Sequence, residues 1–185
     1  GLQWIVDAYT LVFAGLLLTG GYLSDRFGHL RMLLSGIAGF AAVSALAASS
    51  QTLGQLIAAR AGLGLFAALV FPATLAIIVS IFVGSRERAA AVGIWAATSG
   101  IAVAIGPVLG GWLLEHYTWA SVFWVNLPLA ALAVIAIVAV VPGTRPARVS
   151  RFDLPGLVLS VVGLGLLTYS VIEGPHFGWT DPRTI

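Results

Sequence analysis

Long apolar stretches separated by short polar ones run along the whole chain. Residues 4–23, 31–50, 53–82, 89–114, 121–141 and 154–173 are each mostly apolar and about 20 or more residues long, the length a helix needs to cross a bilayer's hydrocarbon core. None alternates apolar and polar positions as a barrel strand does. A backbone exposed to lipid must also satisfy its own hydrogen bonds. The pattern therefore predicts six transmembrane helices in an all-α, polytopic bundle. The third and fourth runs exceed the minimum and have to tilt, bend or protrude.

The basic residues orient these spans. Arg26 and Arg31, then Arg86 and Arg88, then Arg145, Arg148 and Arg151 fall at alternate connections, around residues 24–30, 84–88 and 142–153. The intervening connections, 50–52 and 115–120, carry no Arg or Lys. By the positive-inside rule the Arg-bearing side is cytoplasmic, so the first span enters from outside and the sixth returns there. Trp4, Tyr117, Trp119, Trp124 and Trp179 gather at the outer boundary, where an aromatic belt belongs.

Composition agrees and excludes other classes. Of 185 residues 59% are hydrophobic and 9% charged, with a mean hydropathy of +1.03. A soluble domain carries about a quarter charged residues, so a soluble enzyme, a secreted module and a nucleic-acid binder are all poor readings. The chain has no Cys, which removes disulfides, thiolate zinc sites and cysteine nucleophiles. A net charge of +2 is no nucleic-acid signature. His29, His116 and His176 lie in different connections without ligand spacing, so no metal site is expected. The opening Gly-Leu-Gln-Trp has neither an initiator Met nor a signal peptide's basic region, and the chain reads as a piece of a longer protein.

Two charged residues lie within spans. Arg60 sits seven residues into the third run, about 10 Å down a helix. An Arg at a span's centre costs about 2.5–3.5 kcal/mol on insertion scales, which makes it a functional hypothesis by default. It could instead snorkel to the outer headgroups, but small neighbours (Ala59, Ala61, Gly62, Gly64) give it a face made for close helix contact. Asp7, three residues after Trp4, is either a wet interfacial carboxylate or one facing the bundle interior. In the second case burial and a neighbouring Arg would pull its proton affinity in opposite directions, and it could exchange a proton for a cation.

The fourth run carries a stripe. Gly93, Ala97, Gly100, Ala104, Pro107 and Gly111 recur at spacings of four and three, with Gly106 and Gly110 beside them as a G-x-x-x-G pair. Small residues let two helix backbones approach, and Pro107 removes a helical hydrogen bond. A bent helix packed tightly on a neighbour is expected.

These residues resemble a known family. Gly21-Tyr22-Leu23-Ser24-Asp25-Arg26-Phe27-Gly28 resembles the signature loop between the second and third spans of the major facilitator superfamily. Ile57-Ala58-Ala59-Arg60-Ala61-Gly62-Leu63-Gly64 resembles its Arg-bearing fourth-span motif, and Gly106-Pro107-Val108-Leu109-Gly110-Gly111 its fifth-span antiporter motif. Trp4-Ile5-Val6-Asp7-Ala8-Tyr9-Thr10-Leu11 is similar to the second span of drug:proton antiporters with fourteen spans, the multidrug and quaternary-ammonium efflux type. Glu173-Gly174-Pro175 with Gly178-Trp179 resembles that branch's first extra span. The signature departs at His29 and Leu30, where two basic residues are usual, at Leu63, where Gln is common, and at Ala102, where Gly is expected.

The resemblance implies the N-terminal half of a major facilitator fold. Residues 1–150 would be family spans two to six with a cytoplasmic loop, and 151–185 the start of the extra central spans, with the first span and the C-terminal bundle absent. It implies a proton-coupled exporter of amphipathic or cationic drugs in the cell (inner) membrane. Such an exporter needs no cofactor beyond the proton gradient, and its partners are lipid, protons, substrate and the second half of its own chain. Asp7 and Arg60 would handle charge. Gly21, Asp25, Arg26, Gly28 and Arg31 would form the cytoplasmic gating loop, with Asp25 and Arg26 touching the second bundle. Gly100, Gly106, Pro107, Gly110 and Gly111 would seal the bundles together. Two alternatives stay open: a transporter of another solute such as a metabolite, and a non-transporting membrane scaffold or sensor.

The orientation is directly testable. Single cysteines at positions 26, 86 and 148 should resist an impermeant thiol reagent added outside the cell, while one at position 116 should react. Labelling at 148 but not at 116 would invert the topology.

Overall fold

A computed structural model describes residues 3–141 and 154–177. Every regular element in them is helical: α1 (Trp4–Phe27), α2 (His29–Ala48), α3 (Leu53–Ile81), α4 (Ser85–His116), α5 (Ser121–Trp124), α6 (Asn126–Val140) and α7 (Leu154–Phe177). Five stretches are long and apolar enough to cross a membrane, with α5 and α6 together forming the fifth, Ser121–Val140. The sixth expected span falls within α7, whose described apolar part is Val161–Val171. The connection carrying Arg145, Arg148 and Arg151, and Gly178-Trp179 at the end, lie outside the described residues.

Three helix boundaries differ from the sequence expectation. The polar stretch 24–30 is almost wholly helical, because α1 runs to Phe27 and α2 starts at His29. Gly28 alone joins them, at φ 97°, a conformation that suits a residue without Cβ. The fourth helix starts at Ser85 rather than 89. Arg88 in its first turn donates from Nε to the Phe82 carbonyl at 2.9 Å, tying the α3 end to the α4 start. The fifth run is interrupted at Val125, since Pro128 has no N–H to offer the Trp124 carbonyl four residues back. The outer start of α3 is sharp for a local reason. Thr52 Oγ1 accepts from the Gln55 N–H at 3.2 Å, and Gln55 Oε1 accepts from the Thr52 N–H at 3.2 Å, a reciprocal capping box.

The bundle is built on α3, which packs on α1 and α2 through glycines. A Cβ at Gly64 would lie 2.5 Å from the Tyr9 carbonyl oxygen, and one at Gly20 would collide with the Ala68 carbonyl. Pro72, inside α3, explains the second contact. It leaves the Ala68 carbonyl without its helical N–H partner, and Ala68 is fully buried. The Gly20 Cα hydrogen that stands in Cβ's place points at that oxygen, a weak C–H···O bond of about 0.5–1 kcal/mol. On the other side of α3, Gly36 meets Val70 and Leu69, and Gly39 lies on the Phe66 ring. Leu33, Ala73 and Ile77 form a small core with Ile37, Val70, Ile137 and Val141 around it.

The glycine stripe of α4 behaves differently from expectation. No residue of α4 is buried, and a Cβ at Gly93, Gly100, Gly106, Gly110 or Gly111 would meet nothing within 4 Å. The tight neighbour expected there is not among the described residues, and the tightest glycine contacts that do exist use α1, α2 and α3. Large apolar side chains such as Val103, Val108 and Val140 are 70–79% exposed. In water such a surface would mark an interaction site or an aggregation hazard; on membrane-spanning helices it is surface for lipid or a further helix to cover.

The two kinds of glycine predict opposite outcomes. Gly20→Ala should destabilise the detergent-solubilised bundle by about 1–3 kcal/mol, the usual range for overpacking. Gly106→Ala should be neutral or slightly stabilising. Denaturant titration followed by helical circular dichroism separates them, and equal behaviour would contradict the packing described.

Candidate functional site

Arg60 reaches across to α1. Gly64, one turn further along α3, lies directly against the Tyr9 carbonyl, and that approach brings α1 within range of the guanidinium. Arg60 Nε donates to the Ile5 carbonyl at 2.7 Å, and its guanidinium carbon lies 4.8 Å from the centre of the Tyr9 ring. A cation over an aromatic face contributes about 0.5–2 kcal/mol, more as water is excluded. The side chain is therefore tied to α1 by a hydrogen bond and a ring contact. Among the described residues no carboxylate forms an ion pair with it.

Asp7 does not join Arg60. At 100° per residue it sits about 160° around α1 from Tyr9, on the far side from the guanidinium. It lies instead near the flank that meets α7, where Trp4 and Tyr169 rings are 6.5 Å apart. No side-chain hydrogen bond or ion pair to Asp7 occurs among the described residues. The two charged groups thus occupy opposite sides of one helix.

A row of rings leads inward from Arg60. Tyr9 stacks on Phe13 (5.9 Å, 5°), Phe13 meets Phe71 edge-on (5.9 Å, 89°), and Phe71 lies 5.2 Å from Trp95. Trp95 Nε1 donates to Thr74 Oγ1 at 3.2 Å. Arg60 and Thr74 are 14 residues apart on α3, so the row covers about 21 Å of membrane depth. It forms one wall of an open cavity of about 490 Å³ lined by α1, α2, α3, α4 and α6. The remaining lining is apolar apart from Ser99 and Asn126, and the Asn126 amide donates to Ser44 Oγ at 3.2 Å. Such a space suits an apolar or ring-bearing occupant with a few polar anchors.

The connection between α1 and α2 gathers the residues assigned to the gating loop. The Ser24 hydroxyl, buried, shares a 3.0 Å hydrogen bond with His29 Nδ1, and the Asp25 carboxylate is 3.8 Å from the same nitrogen. Arg26 donates to the Tyr22 hydroxyl at 3.3 Å and lies over the Phe27 ring. Asp25, Arg26 and Arg31 are exposed, while Gly28 is buried in the turn. Gly21 faces the Pro72 ring. His29, where the signature usually carries a basic residue, thus serves as a hydrogen-bonding partner inside the turn.

Sequence reasoning missed Tyr9, Phe13, Phe71, Thr74, Trp95 and Asn126 as lining residues. One signal was available. Trp95 and Asn126 carry N–H groups within apolar stretches, and buried groups of that kind find partners.

The sequence has relatives over nearly its whole length. It is 39% identical over 185 residues to the multidrug resistance protein Stp of Mycobacterium tuberculosis (strain CDC 1551 / Oshkosh), covering 100% of this chain and 34% of that protein. It is 40% identical over 182 residues to the methylenomycin A resistance protein of Bacillus subtilis (strain 168), covering 98% and 39%. It is 42% identical over 175 residues to the multidrug efflux pump LfrA of Mycolicibacterium smegmatis (strain ATCC 700084 / mc(2)155), covering 95% and 35%. The chain spans little more than a third of these relatives' length. With residues 1–180 matching the Major Facilitator Superfamily, the chain belongs to that superfamily and is an integral, multi-pass membrane protein.

Proposed function

We propose that the protein containing this chain is a proton-coupled exporter of amphipathic, chiefly cationic compounds in the cell (inner) membrane, of the fourteen-span drug:proton antiporter branch. Residues 1–150 supply spans two to six and 151–185 begin the extra central spans, with a further bundle of the same chain completing the transporter. The observation that carries this reading is Arg60, a cation lodged between α1 and α3 without a carboxylate partner among the described residues. A membrane scaffold has no use for such a group, whereas a carrier coupling charge movement to transport does. The names of the relatives, two of them multidrug proteins and one an antibiotic resistance protein, support drugs over metabolites. A proton entering down a membrane potential releases about 2.3 kcal/mol per 100 mV, which drives a neutral amphipath outward without a cofactor. For a monovalent cation, whose exit costs the same electrical work, the drive comes from the pH gradient or from an additional proton. The exposed Asp25, Arg26 and Arg31 and the bare α4 stripe with Gly100, Gly106, Pro107, Gly110 and Gly111 are the surfaces on which the second bundle docks.

Cells expressing the complete gene should accumulate less of a quaternary-ammonium dye, and a proton uncoupler should abolish the difference. Uncoupler-insensitive efflux would remove the coupling, and export confined to a metabolite would favour the alternative solute.

Within that assay Asp7→Asn should weaken export of cations more than of neutral compounds, because Asn can neither carry charge nor release a proton. Arg60→Ala should reduce export at least about tenfold, and Arg60→Lys should recover it only in part, since an ammonium reproduces neither the Nε–H bond nor planar stacking on Tyr9. Wild-type rates for both Asp7→Asn and Arg60→Ala would remove these residues from the site.

Gly106→Leu and Gly111→Leu should insert normally yet abolish export, which membrane-fraction blots alongside efflux would show. Normal efflux from both would make the stripe merely compositional.

A further inference from the structure

Among the described residues, α4 contacts only α3 and α5. No residue of α4 is buried, and its glycines face open space. At its cytoplasmic end Arg88 holds the turn from α3 by bonding to the Phe82 carbonyl. Within the membrane, the single side-chain hydrogen bond between α4 and another helix among the described residues is Trp95 Nε1–H to Thr74 Oγ1, at 3.2 Å. The Trp95 ring lies on Phe71, which continues through Phe13 and Tyr9 to Arg60. Ser99, one turn along, bonds back to the Trp95 carbonyl at 2.9 Å, so it adds no second tie to α3.

We infer that Trp95 and Thr74 are positioning residues for transport: their hydrogen bond is the clamp that holds α4 at a fixed register on α3, at the inner end of the aromatic row that begins at Arg60. The inference rests on the exporter reading for its transport consequence, while the clamp itself is a structural statement. Trp carries both parts of the clamp, a large ring for Phe71 and an N–H that must find an acceptor in an apolar interior. Thr74 supplies that acceptor while its own hydroxyl proton goes to the Phe71 carbonyl at 2.7 Å. The Thr74 hydroxyl is thereby fixed with a lone pair toward the indole. With α3 and α5 its only contacts among the described residues, α4 leaves its stripe for the second bundle of the proposed transporter. The bond lies near the cytoplasmic third of α4, and its loss removes the side-chain hydrogen bond that, among the described residues, fixes α4 on α3.

The test uses the full-length protein with any native cysteines replaced and nitroxide labels at Leu18→Cys on α1 and Val103→Cys on α4, positions 57% and 77% exposed. In pulsed electron–electron resonance, Trp95→Phe and Thr74→Val should each broaden the distance distribution, and Thr74→Ser should restore it. In efflux assays the same two variants should each lower the maximal rate about tenfold, the equivalent of one buried hydrogen bond, with KM nearly unchanged. The double variant should be no worse than either single one, because both remove the same bond. Unchanged distance distributions in both single variants, or losses that multiply in the double variant, would overturn the clamp. The distance measurement needs no transport, so it decides the clamp even if the wild-type protein exports no drug.

Discussion

The approach of α1 to α3, close enough that backbone touches backbone at Gly64 and Gly20, is the constraint on which the other features rest. Between apolar helices in lipid there is no hydrophobic drive to associate, so close packing and weak polar contacts must do that work. Pro72 supplies one such contact by freeing the Ala68 carbonyl, and Gly20 accepts the arrangement because it has no Cβ. Once α1 is held at this distance, Arg60 can reach the Ile5 carbonyl and the Tyr9 ring. A helix pair splayed by one methyl group would leave that guanidinium short of its partners.

The spans, their order and their helical character were legible because they depend on hydropathy alone, which is a local property. Local chemistry also explains where the boundaries moved. One glycine at φ 97° turns the chain between α1 and α2, so polar residues Asp25 and Arg26 could remain helical instead of forming a loop. Pro128 broke the fifth span by withholding one N–H. What hydropathy could not show was which small residues pack. The longest stripe, on α4, meets no described neighbour, whereas seven less regular glycines on α1, α2 and α3 meet backbone or side chains. Spacing reports which residues share a helix face, but the partner for that face is a tertiary fact.

The candidate site divides in the same way. Arg60 could be singled out because a charge in a span is chemically conspicuous. Asp7 was equally conspicuous, yet helix geometry puts it on the opposite side of α1 from the Tyr9 face that Arg60 touches, which no consideration of residue type would reveal. The aromatic row escaped notice for the converse reason. Tyr9, Phe13 and Phe71 are ordinary apolar residues singly and become a feature only when α1 and α3 align them.

The glycine contacts also separate two properties that most proteins carry in the same side chains. Gly20, Gly36, Gly39, Gly62 and Gly64 fix the scaffold, and none of them lines the cavity. Substitutions at lining residues outside the Trp95–Thr74 bond and the core contacts of Ile37 and Val70 therefore act on a wall whose position is set elsewhere. At those positions evolution can redraw the interior chemistry with little penalty in stability, whereas a single added methyl group at Gly20 touches the frame itself. A fold organised this way is suited to accumulate new specificities by drift, one lining residue at a time.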